Sequence, residues 1–269
     1  MLELIDVEGL QVAVRRLGRG EPVLLVHGGM SDSREWGPHL EDLSRDYDVA
    51  AVDVLGCGAS SDPPEEFGLA DHARVLAGTL DALGMSPAHV IGHSLGAVLA
   101  LALYRDYPRV VQSMVLAGAY AGWAGSLPPE EVQLRTRMVL ETLERPVEEW
   151  GPPFLATVHG VNAPSELVEA SMAILRDVRP EASRRLVSAI ASADLRQLLP
   201  SITVPVLLIY GQDDQRAPGA VAAQLHVAIR GSQLVVLPGV GHAVNVEAPE
   251  EFDAAARTFL RTIGADQTG

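Results

Sequence analysis

No lysine occurs anywhere in the 269 residues; all 20 basic side chains are arginine. That absence excludes Schiff-base catalysis, covalent attachment of pyridoxal phosphate and a phosphate-binding loop built on lysine. Cysteine is almost as scarce. Cys57 stands alone, so neither an intrachain disulfide nor a cysteine-based zinc site can form. Basic charge is outnumbered by 35 acidic residues, and the resulting formal net charge of −15 repels nucleic acid and anionic membrane surfaces. Uninterrupted apolar runs of membrane-spanning length are also missing. The charge-free window Ser86–Tyr104 contains Pro87, Gly92, His93, Ser94 and Gly96, and reads as a strand, a sharp turn and a helix. The start, Met1–Asp6, has no basic segment and carries acids where a signal peptide is apolar. A soluble, cytoplasmic protein acting on a small molecule is therefore expected, with no nucleic-acid or membrane partner.

What is present is core-forming material, with 48% hydrophobic residues and a mean hydropathy of +0.16. A chain of this size can form one large domain, or one domain carrying an insertion. Strands are expected at Leu10–Leu17, Val23–Val26, Val49–Val54, His89–Ile91 and Val110–Ala117, then at Val204–Tyr210 and Leu234–Leu237. Helices are expected near Glu35–Leu43, over Leu69–Leu83 with Gly84 as its stop, over Gly96–Tyr107, near Gly219–Arg230, and from Pro249 onward. Short apolar strands alternating with helices predict a parallel sheet covered on both faces. The alternation breaks between about residues 120 and 200, where only helical patterns and prolines are found. The expected organisation is an α/β core of residues 1–119 and 201–269, with residues 120–200 as a helical cap at the sheet's C-terminal edge.

Gly92-His93-Ser94-Leu95-Gly96 matches G-x-S-x-G between an apolar strand and a strongly helical run. In that setting a strained turn exposes the serine, glycines make room for it, and the helix start faces developing negative charge. A serine nucleophile needs a base, and the base needs an orienting acid. His242 follows the strand at Leu234–Leu237, and Asp213-Asp214 follows the strand ending at Tyr210, so all three groups leave the same edge. His27 fits a loop-tying role better, and His93 adjoins the serine too closely to serve it. His39, His72, His89, His159 and His226 form no constellation. On these grounds the acid is Asp213 or Asp214. The histidines lack metal-ligand spacing and Gly56-Cys57-Gly58 leaves a dinucleotide fingerprint incomplete, so no metal or organic cofactor is expected.

These motifs resemble the α/β-hydrolase superfamily over nearly the whole chain. The resemblance is carried by His27-Gly28-Gly29, by Asp53-Val54-Leu55-Gly56-Cys57-Gly58-Ala59-Ser60, by the Gly92–Gly96 turn, by Gly211–Asp214 and by Gly241-His242. It implies the α/β-hydrolase fold, selects Asp214 as the acid, and implies an oxyanion hole made by the backbone N–H groups of Gly29 and Leu95. The join from Ser192 to Pro205 is similar to that of 3-oxoadipate enol-lactonases and cofactor-free haloperoxidase-like esterases. The activity so implied is hydrolysis of a small ester or lactone through Ser94, His242 and Asp214. A carbon–carbon bond hydrolase, a ligand receptor and a non-hydrolytic biosynthetic enzyme share the same motifs. Met30, Tyr120, Trp123, Met138 and Trp150 are the side chains expected to line the substrate pocket. Arg135, Arg137, Arg176, Arg179, Arg184 and Arg185 are the cap's cations for a carboxylate-bearing substrate, although solvated helix faces are their commoner place.

Overall fold

A computed structural model describes residues 2–266, so Met1 and residues 267–269 of the expected core lie outside the described residues. Eight strands form one sheet: β1 (Leu2–Val7), β2 (Leu10–Gly18), β3 (Glu21–Val26), β4 (Tyr47–Val52), β5 (Ala88–His93), β6 (Val111–Ala117), β7 (Val206–Gly211) and β8 (Gln233–Leu237). Their spatial order is β1-β2-β4-β3-β5-β6-β7-β8. β2 runs antiparallel to β1 and β4, and every other pairing is parallel. The sheet thus has the expected α/β-hydrolase character, with an additional edge strand, β1.

The helices are α1 (Gly37–Leu43), α2 (Leu69–Leu83), α3 (Leu95–Asp106), α4 (Pro129–Thr142), α5 (Val147–Val158), α6 (Ser165–Leu175), α7 (Pro180–Ser192), α8 (Gly219–Ala228), α9 (Val244–Glu247) and α10 (Pro249–Asp266). Alternation along the strands assigns them to layers. Leu24 and Val26 of β3 pack on one face with Leu80 of α2, Leu99 of α3 and Leu225 of α8. Val23 and Leu25 pack on the other with Leu43 of α1, Val244 of α9 and Phe252 and Phe259 of α10. Both faces are thereby removed from water, which is why β3 reads as an unbroken apolar run.

Helices α4–α7 interrupt the alternation between β6 and β7. They have their own small cluster, Leu143, Trp150, Leu155 and Leu175. Side chains of all four helices meet the loops leaving the sheet's C-terminal edge around one cavity of about 440 Å³.

Candidate active site

The turn between β5 and α3 sets the geometry. Ser94 has φ 51° and ψ −108°, a strained conformation for a residue with a side chain. The strand and helix cross so closely that a Cβ on Gly92 would collide with the Gly96 carbonyl, and one on Gly96 with the Val26 carbonyl. Only glycine fits both places. The Ser94 N–H donates to the Ala117 carbonyl at 2.8 Å, tying the turn to the end of β6.

His242 lies between β8 and α9. Its Nε2 is 2.8 Å from Ser94 Oγ, and its Nδ1 is 2.8 Å from Asp214 Oδ2. The other carboxylate oxygen of Asp214 accepts the N–H groups of Arg216 and Ala217, each at 2.8 Å. Burial alone would raise the Asp214 carboxyl; the His242 ring and these two amides outweigh it and hold it below the ordinary carboxylate value. Burial holds the His242 imidazole below its ordinary value, with Asp214 pulling the other way. A lowered imidazole favours the neutral ring, whose unprotonated Nε2 beside the hydroxyl is able to accept a proton. Asp213, its neighbour, is exposed and donates its N–H to the Val240 carbonyl. The sequence-expected Ser94, Asp214 and His242 are thus brought together, while Asp213 is not.

Two contacts fix the loop that carries His242. The Val158 carbonyl, at the end of α5, accepts the N–H groups of His242 at 2.8 Å and Ala243 at 3.1 Å. Glu247 Oε2 accepts those of Gly160 at 2.7 Å and Gly241 at 3.3 Å.

Gly29 and Leu95 both line the cavity beside Ser94, and neither backbone N–H donates to another described residue. Leu95 opens α3, where an amide has no intrahelical acceptor. His27 supports the adjoining loop: its Nδ1–H donates to the Gly28 carbonyl at 2.7 Å, and its Nε2 accepts the Val54 N–H at 3.0 Å.

Glu35 was not singled out by sequence. It is buried, and its Oε1 lies 3.1 Å from His93 Nδ1 and accepts the Gly28 N–H at 3.2 Å and Asn245 Nδ2 at 3.4 Å. Burial opposes its ionisation, yet His93, His27 and Ser31 hold its carboxyl down at about 2. His93 Nε2 in turn donates to the His242 carbonyl at 3.1 Å. This buried bridge joins the loop bearing Gly29 to the loop bearing His242. No sequence spacing could have revealed it, because Glu35 is 58 residues from His93 and 210 from Asn245.

Of the expected pocket residues, Met30, Tyr120 and Trp123 line the cavity. Trp150 instead packs edge-on against Phe154 inside the cap cluster, and Met138 is 57% exposed on the outer side of α4. Both stand on helices whose apolar positions divide among the cavity, the cap interior and solvent, which periodicity alone does not distinguish. None of the six expected cap arginines lines the cavity; Arg137 is exposed and the other five are engaged elsewhere. Arg135 pairs with Glu131, Arg176 with Glu148, Arg179 with Asp62 and Arg184 with Glu144, and Arg185 donates to the Pro63 carbonyl. Among the described residues no three His, Cys, Asp or Glu side chains are placed to share a metal ion, and no helix is long and apolar enough to cross a membrane.

Comparison with known proteins agrees with this architecture. Residues 23–255 match the profile of the alpha/beta hydrolase family. A protein of Escherichia coli O26:H11 named "Putative carbamate hydrolase RutD" is 31% identical over 254 residues, covering 90% of this chain and 92% of its own. The crystal structure of a hydrolase from Pseudomonas aeruginosa PA01 superposes with a TM-score of 0.85 at 29% identity, covering 96% of this chain and 98% of that one. A thermophilic esterase from Thermogutta terrifontis, solved with malate bound, superposes with a TM-score of 0.88 at 26% identity, covering 98% and 99%.

Proposed function

The chain belongs to the alpha/beta hydrolase family, and from that premise we propose that it is a serine hydrolase cleaving a small ester or lactone through an acyl-enzyme intermediate. The reading rests on one observation: a single buried imidazole lies 2.8 Å from both a strained serine hydroxyl and a buried carboxylate. His242 Nε2 takes the proton of Ser94 Oγ as the oxygen attacks the substrate carbonyl. Asp214 holds the ring in the tautomer with the proton on Nδ1 and stabilises the imidazolium that forms. The N–H groups of Gly29 and Leu95 receive the oxyanion; such donors contribute about 3 kcal/mol each to lowering the barrier. His242 then returns the proton to the leaving alcohol. Water, deprotonated by the same nitrogen, releases the acid from Ser94.

In this reading residues 120–200 act as the cap that walls the pocket, and residues 1–119 and 201–269 as the core that carries the chemistry. Met30, Tyr120 and Trp123 bound the acyl or alcohol part of the substrate, since they line the same cavity as the hydroxyl. The curated relative favours a second reading, cleavage of a carbamate, whose carbonyl would use the same three side chains. A cavity of about 440 Å³ is of the size that holds a drug-like ligand and far exceeds a bare carbamate ion, which supports an organic ester or lactone. The decisive experiment replaces Ser94 by alanine and follows p-nitrophenyl ester hydrolysis. A fall in kcat of at least about 10⁴-fold with unchanged unfolding behaviour is expected; retained turnover would overturn the assignment.

A further inference from the structure

Four charged side chains line the cavity that holds Ser94: Arg34, Glu35, Glu166 and Arg216. Three of them are accounted for. Arg34 pairs with Asp32 at 2.6 Å and Asp177 at 2.7 Å. Glu35 is absorbed in its bridge to His93, Gly28 and Asn245. Glu166 is exposed at the mouth, where water screens it.

Arg216 differs. No carboxylate lies within ion-pair distance of it among the described residues, although acids outnumber bases 35 to 20 in this chain. Its position is nevertheless built. Its backbone N–H is held by Asp214 at 2.8 Å, and its carbonyl accepts Arg135 Nη1 at 2.9 Å and the Tyr120 hydroxyl. The guanidinium lies over the Phe154 ring, 5.0 Å from the centroid, and Nη1 donates to Thr157 Oγ1 at 3.0 Å. Nε and Nη2 donate to no described residue. Burial holds the guanidinium below the ordinary arginine value, and Arg135 pushes the same way against Tyr120 and Asp214. A half-buried cation with two nitrogens that donate to no described protein group, facing an apolar cavity, is open to an incoming anion.

We propose that Arg216 is the seat for a carboxylate carried by the substrate, away from the bond that is cut. The natural substrates are then half-esters, or lactones bearing a free carboxylate. This deepens the serine-hydrolase reading and rests on it. A planar fork held by Phe154 and Thr157 has already lost much of its rotamer freedom, so a carboxylate gains affinity without ordering it. The anchoring of Arg216 to the same aspartate that orients His242 sets a fixed reach between the two ends of the substrate. Selectivity therefore has an optimum chain length, which a merely structural arginine would not produce.

The experiment compares methyl half-esters of the diacids from succinic to suberic with neutral methyl esters of matching length. It is run at physiological ionic strength so that the chain's net negative field is screened. The wild-type ratio of kcat/KM, half-ester over neutral ester, is expected to exceed one and to peak at one length. Arg216→Gln is expected to lower that peak about 30-fold, the loss usual for a charged hydrogen-bonded contact. Arg216→Lys restores part of it, and Arg176→Gln, whose exposed guanidinium pairs with Glu148 and does not line the cavity, leaves it unmoved. A ratio near or below one at every length, or a peak that survives Arg216→Gln, overturns the proposal. Should the glutamine variant fail to fold, the wild-type length profile decides alone. Ser94→Ala separates the two readings: if it still cleaves both substrate series, the nucleophile assignment fails, whatever the ratio shows.

Discussion

Helix α3 and helix α4 are similar in length and opposite in setting. Ten consecutive residues of α3, Leu95–Tyr104, are buried, whereas α4 contributes none. A similar contrast separates the sheet layers from α4–α6, where α6 buries only Leu175 and the shared cluster has four buried members, whereas α7 joins the main core through Leu186, Val187, Ile190 and Ala191. The hydroxyl, imidazole and carboxylate that must keep sub-ångström relations ride on the densely packed part. Much of the cavity wall facing them is made by the sparsely packed α4–α6. Local opening costs least where buried apolar contacts are fewest, so in the proposed reading α4–α6 are expected to move while Ser94, His242 and Asp214 stay in place.

Three measurements break or sharpen that contrast. The largest effect is expected from core truncation. Leu99→Ala, at a fully buried position on α3, should cost about 3–5 kcal/mol in denaturant unfolding, and Leu175→Ala in the cap about 2–3 kcal/mol. Equal costs would mean that the cap is packed as tightly as the sheet layers.

Next comes acid stability. Glu35, held at about 2 against an ordinary 4.5, binds its proton less readily when folded than unfolded. Its contribution is present above pH 4.5 and is lost as pH falls toward 2, an effect on the order of 3 kcal/mol. Glu35→Gln should flatten unfolding free energy against pH across that window. An unchanged acid limb would place the sensitivity elsewhere.

The smallest effect is a shift of activity with pH. In the proposed mechanism His242 must be neutral to accept the serine proton, and burial holds it below its ordinary 6.5. The acid limb of kcat/KM should therefore reach half-maximum below pH 6.5, with full activity retained at neutrality. A midpoint above that value would imply that Asp214 dominates over burial.

Much of the core was legible because its physics is local. Runs such as Val23–Val26 announce strands covered on both faces, and Gly92 and Gly96 flank a turn that no other residue permits. β1 escaped notice because an edge strand has little to bury: Leu2 and Leu4 are exposed, and Glu3 and Asp6 break the apolar signal. β4 begins at Tyr47, not Val49, because pairing with Glu21 and Pro22 of β3 extends it; Asp53 and Val54 already belong to the following loop. The candidate site was legible where motif and strand end coincide, as at Ser94, Asp214 and His242. It was opaque where contacts span the fold, as for Glu35. Arg216 is opaque for another reason: the helical insertion offers the obvious cations for a pocket, and this one stands outside it, two residues after Asp214.

The clasp formed by the Val158 carbonyl and Glu247 has a mechanical consequence. Because the end of α5 grips the peptide links on either side of the imidazole, lifting that corner to admit a guest would draw His242 away from the Ser94 hydroxyl. That corner, to which α6 is also tied through Ser171 and His159, is therefore expected to act as the fixed end of any movement that admits a guest.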